Sequence, residues 1–166
     1  MPQTDSHVSA GILAPANASK RAEILELLER AYWMEMETVM SYVANAAALD
    51  GIRAEEIAEA LDTDVDAELG HARKFAGRIK ELYGTPPGSL AFTPEQAELQ
   101  PPEDATDVVG VIRGVIAAEA GAIEHYNRII EAADGVDWAT QDMVIEILRD
   151  EEGHLRQFER YLREFE

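Results

Sequence analysis

The sequence predicts an all-α protein: one bundle of four long helices with a single long crossover. Three observations carry this. Apolar residues recur at three- and four-residue intervals over four long stretches, while alternating strand patterns are nearly absent. Gly51, Gly84 and the Asp134-Gly135 pair stand where those stretches end. Two of the three connections are short, and the middle one is long and rich in proline.

The first helix is expected from about Ser19, a plausible N-cap, to Asp50, where Gly51 ends it. A second runs from about Ala54 to Tyr83 and is closed by Gly84. The third covers about Thr106 to Ala133, and the fourth begins near Asp137 and continues to the C-terminus. The short links "DGIR" and "DGVD" make helices one and two, and three and four, antiparallel neighbours. The middle link, "GTPPGSLAFTPEQAELQPPEDA", has about 22 residues and can reach ~70 Å when extended. A 30-residue helix is only ~45 Å long, so the link can travel the whole bundle and start helix three parallel to helix two. Leu90, Ala91 and Phe92 are expected to pack on the bundle as it passes. Residues 1–19 read as an N-terminal extension and residues 20–166 as the bundle.

Composition narrows the function classes. The 166 residues hold no cysteine, which excludes disulfides, thiolate metal sites and cysteine nucleophiles. The opening stretch has neither a basic start nor an apolar run, and no later stretch is apolar enough to span a bilayer. A cytoplasmic location is therefore expected. The formal net charge is -19, with 33 acids against 14 Lys plus Arg. Such a surface repels nucleic acid and anionic membrane. It suits a solvated surface in high salt, a field that gathers cations, or both.

The buried stripes hold the decisive residues. Helix one reads Ile24, Leu28, Ala31, Glu35, Thr38, Tyr42; helix two, Leu61, Val65, Glu68, His71, Phe75; helix three, Val115, Glu119, Ala122, Tyr126; helix four, Ile147, Glu151, His154, Phe158. Each stripe carries a glutamate, and two carry Glu-x-x-His, whose members lie one turn apart on one face. Glu35, Glu68, Glu119 and Glu151 all stand about fifteen residues from their turns, so antiparallel pairing brings them to one height. Uncompensated carboxylates there would cost several kcal/mol. Two divalent ions cancel four carboxylate charges, and two neutral imidazoles complete the shell. Oxygen and nitrogen donors without sulfur suit iron or manganese, with zinc a competitor. Without metal, mutual repulsion should leave the site partly protonated. Glu37 and Glu124 are rotated off the stripes and should face solvent or a neighbouring subunit. His7, His125, Asp150 and Glu152 read as surface residues.

One Glu from each of two helices and Glu-x-x-His from each of the others is the donor set of ferritin-like di-metal carboxylate bundles, and residues 20–165 resemble that superfamily. "EILRDEEGH" (146–154) is similar to the last-helix signature of bacterioferritin, as is the spacing from Glu35 to Glu68. The resemblance implies a ferroxidase centre of two iron ions per subunit on Glu35, Glu68, His71, Glu119, Glu151 and His154. Glu68 and Glu151 would bridge the ions, manganese or zinc would be possible substitutes, and Tyr42 would stand beside them. Haem is not expected, because Leu69 occupies the position of bacterioferritin's haem-ligating methionine. About twelve residues follow His154, too few for the fifth helix of 24-subunit cages. With the N-terminal extension, this resembles the Dps-like branch and favours a dodecameric cage, although that branch's cysteine pair is missing. The implied activity is oxidation of Fe(II) by peroxide or dioxygen with storage of Fe(III). A di-iron or di-manganese peroxidase or catalase without storage, and a Dps-type DNA-protecting protein, are the alternatives.

Overall fold

The computed structural model describes residues 7–166. Four helices form a bundle: α1 (Ala18–Ala48), α2 (Ile52–Glu81), α3 (Val108–Ala133) and α4 (Trp138–Leu162). Among the described residues there is no strand, and no helix is long and apolar enough to cross a membrane. Most helix ends fall within about two residues of those expected, the ordinary uncertainty of a frayed end. The C-terminus differs more: α4 stops at Leu162 and a 3-10 turn follows, with the Arg53 guanidinium 4.3 Å above the Phe165 ring.

Local chemistry explains the ends. Asp107 accepts from the Gly110 amide, and Asp137 from the Thr140 amide, so aspartates cap α3 and α4. Asp137 is buried and also receives Arg78 of α2 at 2.7 Å, which ties the start of α4 to the end of α2. Ser19 does not cap α1; a 3-10 turn at Pro15–Asn17 leads into it. Before that turn, Ile12 is buried in the lower core and Arg21 bonds its carbonyl at 2.8 Å.

Helices α1 and α3 run antiparallel. Glu35 meets Tyr126 and Tyr42 meets Glu119, so rising numbers on one helix face falling numbers on the other. The crossover therefore does climb the bundle, ending with the Asp50 amide bonded to the Ala105 carbonyl at 2.8 Å. Its anchors are not those expected. Leu90 and Ala91 are exposed, Phe92 only stacks on Trp33, and the buried residue is Leu99. Gly114 permits the crossing: a Cβ there would lie 2.5 Å from the Glu98 carbonyl oxygen.

Glu37 corrects the expectation of a solvent-facing side chain. It is buried, and its carboxylate accepts the Glu95 amide at 3.0 Å and the Gln96 amide at 2.8 Å. Helical phase places it off the α1 stripe, but the crossover covers that side and brings two amides needing acceptors. Glu37→Ala should cost about 3 kcal/mol, since charge-assisted bonds are lost and two amides are stranded. Urea unfolding would read this, with faster proteolysis near residue 95.

The core falls into two apolar clusters. One includes Ile24, Leu28, Phe75, Ile79, Ile129 and Val144, and the other Leu49, Ile57, Leu61, Ile112, Val115 and Phe158. The layer between them is polar.

Candidate metal centre

That layer is built from the four glutamates and two histidines of the stripes. Glu35, Glu68, Glu119 and Glu151 are all at most 3% exposed, so the matched heights deliver all four inward. His71 is equally buried, and the His154 side chain keeps 14% exposure. Both imidazoles turn Nδ1 inward. His71 Nδ1 lies 2.9 Å from Glu151, 3.7 Å from Glu68 and 3.8 Å from Glu35. His154 Nδ1 lies 2.9 Å from Glu68, 3.2 Å from Glu151 and 3.8 Å from Glu119. Two donor sets result, Glu35–Glu68–His71–Glu151 and Glu68–Glu119–Glu151–His154, with the donor atoms of each within 4.8 Å of one another. Glu68 and Glu151 belong to both sets, each turning one oxygen toward either histidine.

Other polar groups hold this layer. Tyr42 donates to Glu119, and Tyr126 donates to Glu35. His71 Nε2 meets Asp150 at 3.2 Å, which orients the ring with Nδ1 inward. Asp150 is thus a surface residue, as expected, but one with a partner at the centre; its side chain is 51% exposed. Asp64, buried and 4.0 Å from His154 Nε2, was not anticipated. Neither was Tyr126, although its signal is in the sequence: it follows Glu119 by the interval that separates Tyr42 from Glu35.

His125 corrects a second expectation. It is buried, not on the surface, and its Nε2 bonds the Leu27 carbonyl at 2.8 Å. It lines a cavity of about 270 Å³ between α1, α3 and the crossover. Burial, opposed by that bond and aided by Arg30 and Arg128, lowers its pKa and keeps the ring neutral. It takes no part in either donor set. Glu124 is exposed, as expected, and pairs with Arg128.

Comparison with known proteins identifies the family. The family model of the ferritin-like domain matches residues 25–166. The chain belongs to the ferritin-like family. It is 25% identical over 148 residues to the bacterioferritin of Desulfovibrio desulfuricans, covering 89% of this chain and 78% of that protein. The solved structure of that bacterioferritin, in which a diiron site was described in different catalytic states, gives a TM-score of 0.72 over 88% of this chain and 81% of that one. A DNA protection during starvation protein of Pyrococcus furiosus is 27% identical over 143 residues, covering 84% of this chain and 77% of that protein. The dodecameric thioferritin of Bacteroides fragilis shares the fold, with a TM-score of 0.77, 24% identity and coverage of 87% of each chain.

Electrostatics divides the six groups of this ferritin-like layer in a regular way. Burial first, then the Glu151 and Glu68 charges, raise Glu35 and Glu119 well above the ordinary carboxyl range. Burial opposes ionisation of Glu68 and Glu151 too, but the imidazoliums of His154 and His71 beside them outweigh it and lower both, Glu68 to about 2. Burial likewise disfavours the imidazolium ions, yet Glu151 and its neighbours raise both histidines, His154 to about 11. Two imidazolium ions thus face two carboxylates, and two carboxylic acids stay neutral. The layer compensates itself with protons, as mutual repulsion requires.

The donor chemistry fits a pair of divalent cations. Glu68 Oε1, His71 Nδ1 and Glu151 Oε1 are buried without a hydrogen-bond partner, although charged neighbours lie 2.9 Å away. Buried polar atoms are ordinarily satisfied. Three that converge on common points, close to one another but not aligned to bond, fit the role of ligands, and oxygen with imidazole suits iron.

Proposed function

We propose that the protein is a ferroxidase that stores and detoxifies iron. The observation that carries this reading is the pair of interlocked donor sets sharing Glu68 and Glu151, which would hold two cations side by side. Fe(II) is substrate here. Glu35 and His71 would hold one ion and Glu119 and His154 the other, with Glu68 and Glu151 between them. Each ferrous ion gives up one electron, and peroxide takes both, with two protons, to become two waters. Dioxygen taking two electrons and two protons would become peroxide. The flanking apolar clusters keep bulk water from the reacting ions. Tyr42, bonded to Glu119, keeps that carboxylate aimed and stands ready as a further electron donor.

Storage requires a cage, and a dodecamer is the proposed one. The dodecameric Bacteroides thioferritin shares the fold. The surplus of acids would line the inner surface and collect Fe(III). DNA protection, the role in the name of the Pyrococcus relative, is opposed by the net charge of -19. Light scattering before and after anaerobic Fe(II) loading and peroxide addition tests the reading. A particle of about twelve chains that gains mass as soluble mineral is expected. Peroxide turnover with no gain in mass would favour the peroxidase alternative, and a metal-loaded monomer would end the storage claim.

A further inference from the structure

The polar layer has an internal twofold pattern that reaches beyond the ligands. Glu35 and Tyr42 on α1 are separated by seven residues, and so are Glu119 and Tyr126 on α3. Because these helices are antiparallel, each phenol crosses to the other helix's glutamate: Tyr42 to Glu119, Tyr126 to Glu35. Both tyrosines are fully buried. Packing alone does not call for this, because Phe75, beside Tyr126 at 5.4 Å between centroids, fills its space without a hydroxyl.

We propose that Tyr126 is a second redox phenol, paired with Tyr42, and that the two together let the site reduce dioxygen fully to water. The inference rests on the ferroxidase reading and fixes its electron count. Two ferrous ions give two electrons and the two phenols give one each. These four break the O–O bond of dioxygen. Four protons complete two waters, two from the phenols and two from solvent. Once iron has displaced their protons, Glu35 accepts the proton of Tyr126 and Glu119 that of Tyr42 and each relays it to the reduced oxygen, so proton and electron leave together. Two further ferrous ions then reduce the tyrosyl radicals, taking up two protons. The sum is four Fe(II), one dioxygen and four protons giving four Fe(III) and two waters. With neither phenol, two ferrous ions carry dioxygen only to peroxide.

The test is a single turnover with two Fe(II) per chain, mixed with dioxygen, frozen and measured by spin-quantified electron paramagnetic resonance. Released peroxide is assayed in parallel. Wild type should show about two tyrosyl spins per chain and almost no peroxide. Tyr126→Phe should release peroxide and lose most of the radical, because two ferrous ions and one phenol supply three electrons, one short of the four that water formation takes. The Y42F/Y126F double variant should show no radical and about one peroxide per two irons. Melting of each variant and its Zn(II) stoichiometry by calorimetry show whether the fold and both donor sets persist. The wild-type spin count needs no variant at all, so a misfolded variant does not remove the test. One spin or none in wild type, with peroxide released as iron is oxidised, overturns the phenol pair and leaves the ferroxidase reading standing. The pair is equally overturned if Y126F matches wild type. Failure of the wild type to oxidise Fe(II) while binding two Zn(II) ends both.

Discussion

Glu151→Gln is expected to lower the stability of the metal-free protein by about 3–5 kcal/mol and to abolish binding of a cation pair. Glu151 is 1% exposed and faces both histidines, at 2.9 Å and 3.2 Å. Glutamine keeps the volume but leaves two buried imidazolium ions with less counter-charge, the costly half of breaking a buried pair. The sign of the pH dependence follows from the shifts. His154 is raised from 6.5 to about 11, so its contribution is complete below 6.5 and is lost as pH rises through 11. Glu151 is lowered from 4.5, so its share is present above 4.5 and is lost as pH falls through the folded value. The deficit of the variant should therefore be greatest between about pH 4.5 and 6.5, and shrink on either side. Urea midpoints across a pH series would show it. Asp150→Asn makes the contrast, because Asp150 is half exposed and its bond to His71 lies at the edge. Stability should move by less than about 1 kcal/mol. Metal affinity should fall by roughly 10–100-fold, since the ring loses its orienting partner. Equal losses of stability in the two variants would contradict the buried counter-charge account.

The contrast between these neighbours also shows what the sequence can and cannot express. Glu151 sits on an apolar stripe, and periodicity alone says it leaves water. The same logic brought Glu35, Glu68, Glu119 and His71 inward, and distance from the turns set their common height. Helix phase has no such hold on contacts made from outside a helix's own packing partners. Glu37 points away from the α1 stripe yet is buried, because the crossover lies over it. His125 points away from the α3 stripe yet is buried, because its Nε2 reaches across to the Leu27 carbonyl of α1. In the crossover itself no period exists, so Leu90 and Leu99 look alike in sequence and end as one exposed and one buried residue. Tyr126 is a different case. The matching Glu-to-Tyr intervals on α1 and α3 were legible, but only a comparison of the two halves of the chain reveals them.

Loading the centre with Zn(II), a redox-inert probe, should release close to four protons per chain near neutral pH. Two ions need four carboxylates and two neutral imidazoles, whereas the layer holds its charge as two imidazolium ions, two carboxylates and two carboxylic acids. The difference is two protons from His71 and His154 and two from Glu35 and Glu119. The count should fall as rising pH removes these protons from the metal-free layer, and His154 surrenders its own only near 11. Affinity must strengthen with pH as steeply as protons are released, and weaken in acid. Glu35→Gln and Glu119→Gln should each remove about one proton from the count and weaken binding. Both should also leave the metal-free protein as stable as wild type or more so above pH 4.5, because a raised carboxyl opposes folding once ionised. Zn(II) in thousandfold excess over its dissociation constant adds about 4 kcal/mol, or roughly 10 °C in melting temperature for a domain of this size. A pH-stat titration with parallel melting curves measures all of this. If binding releases no protons between pH 6 and 8, the six groups already stand as four carboxylates and two neutral rings. The cations would then be entering a strained, fully charged cavity instead of replacing protons in a neutral one.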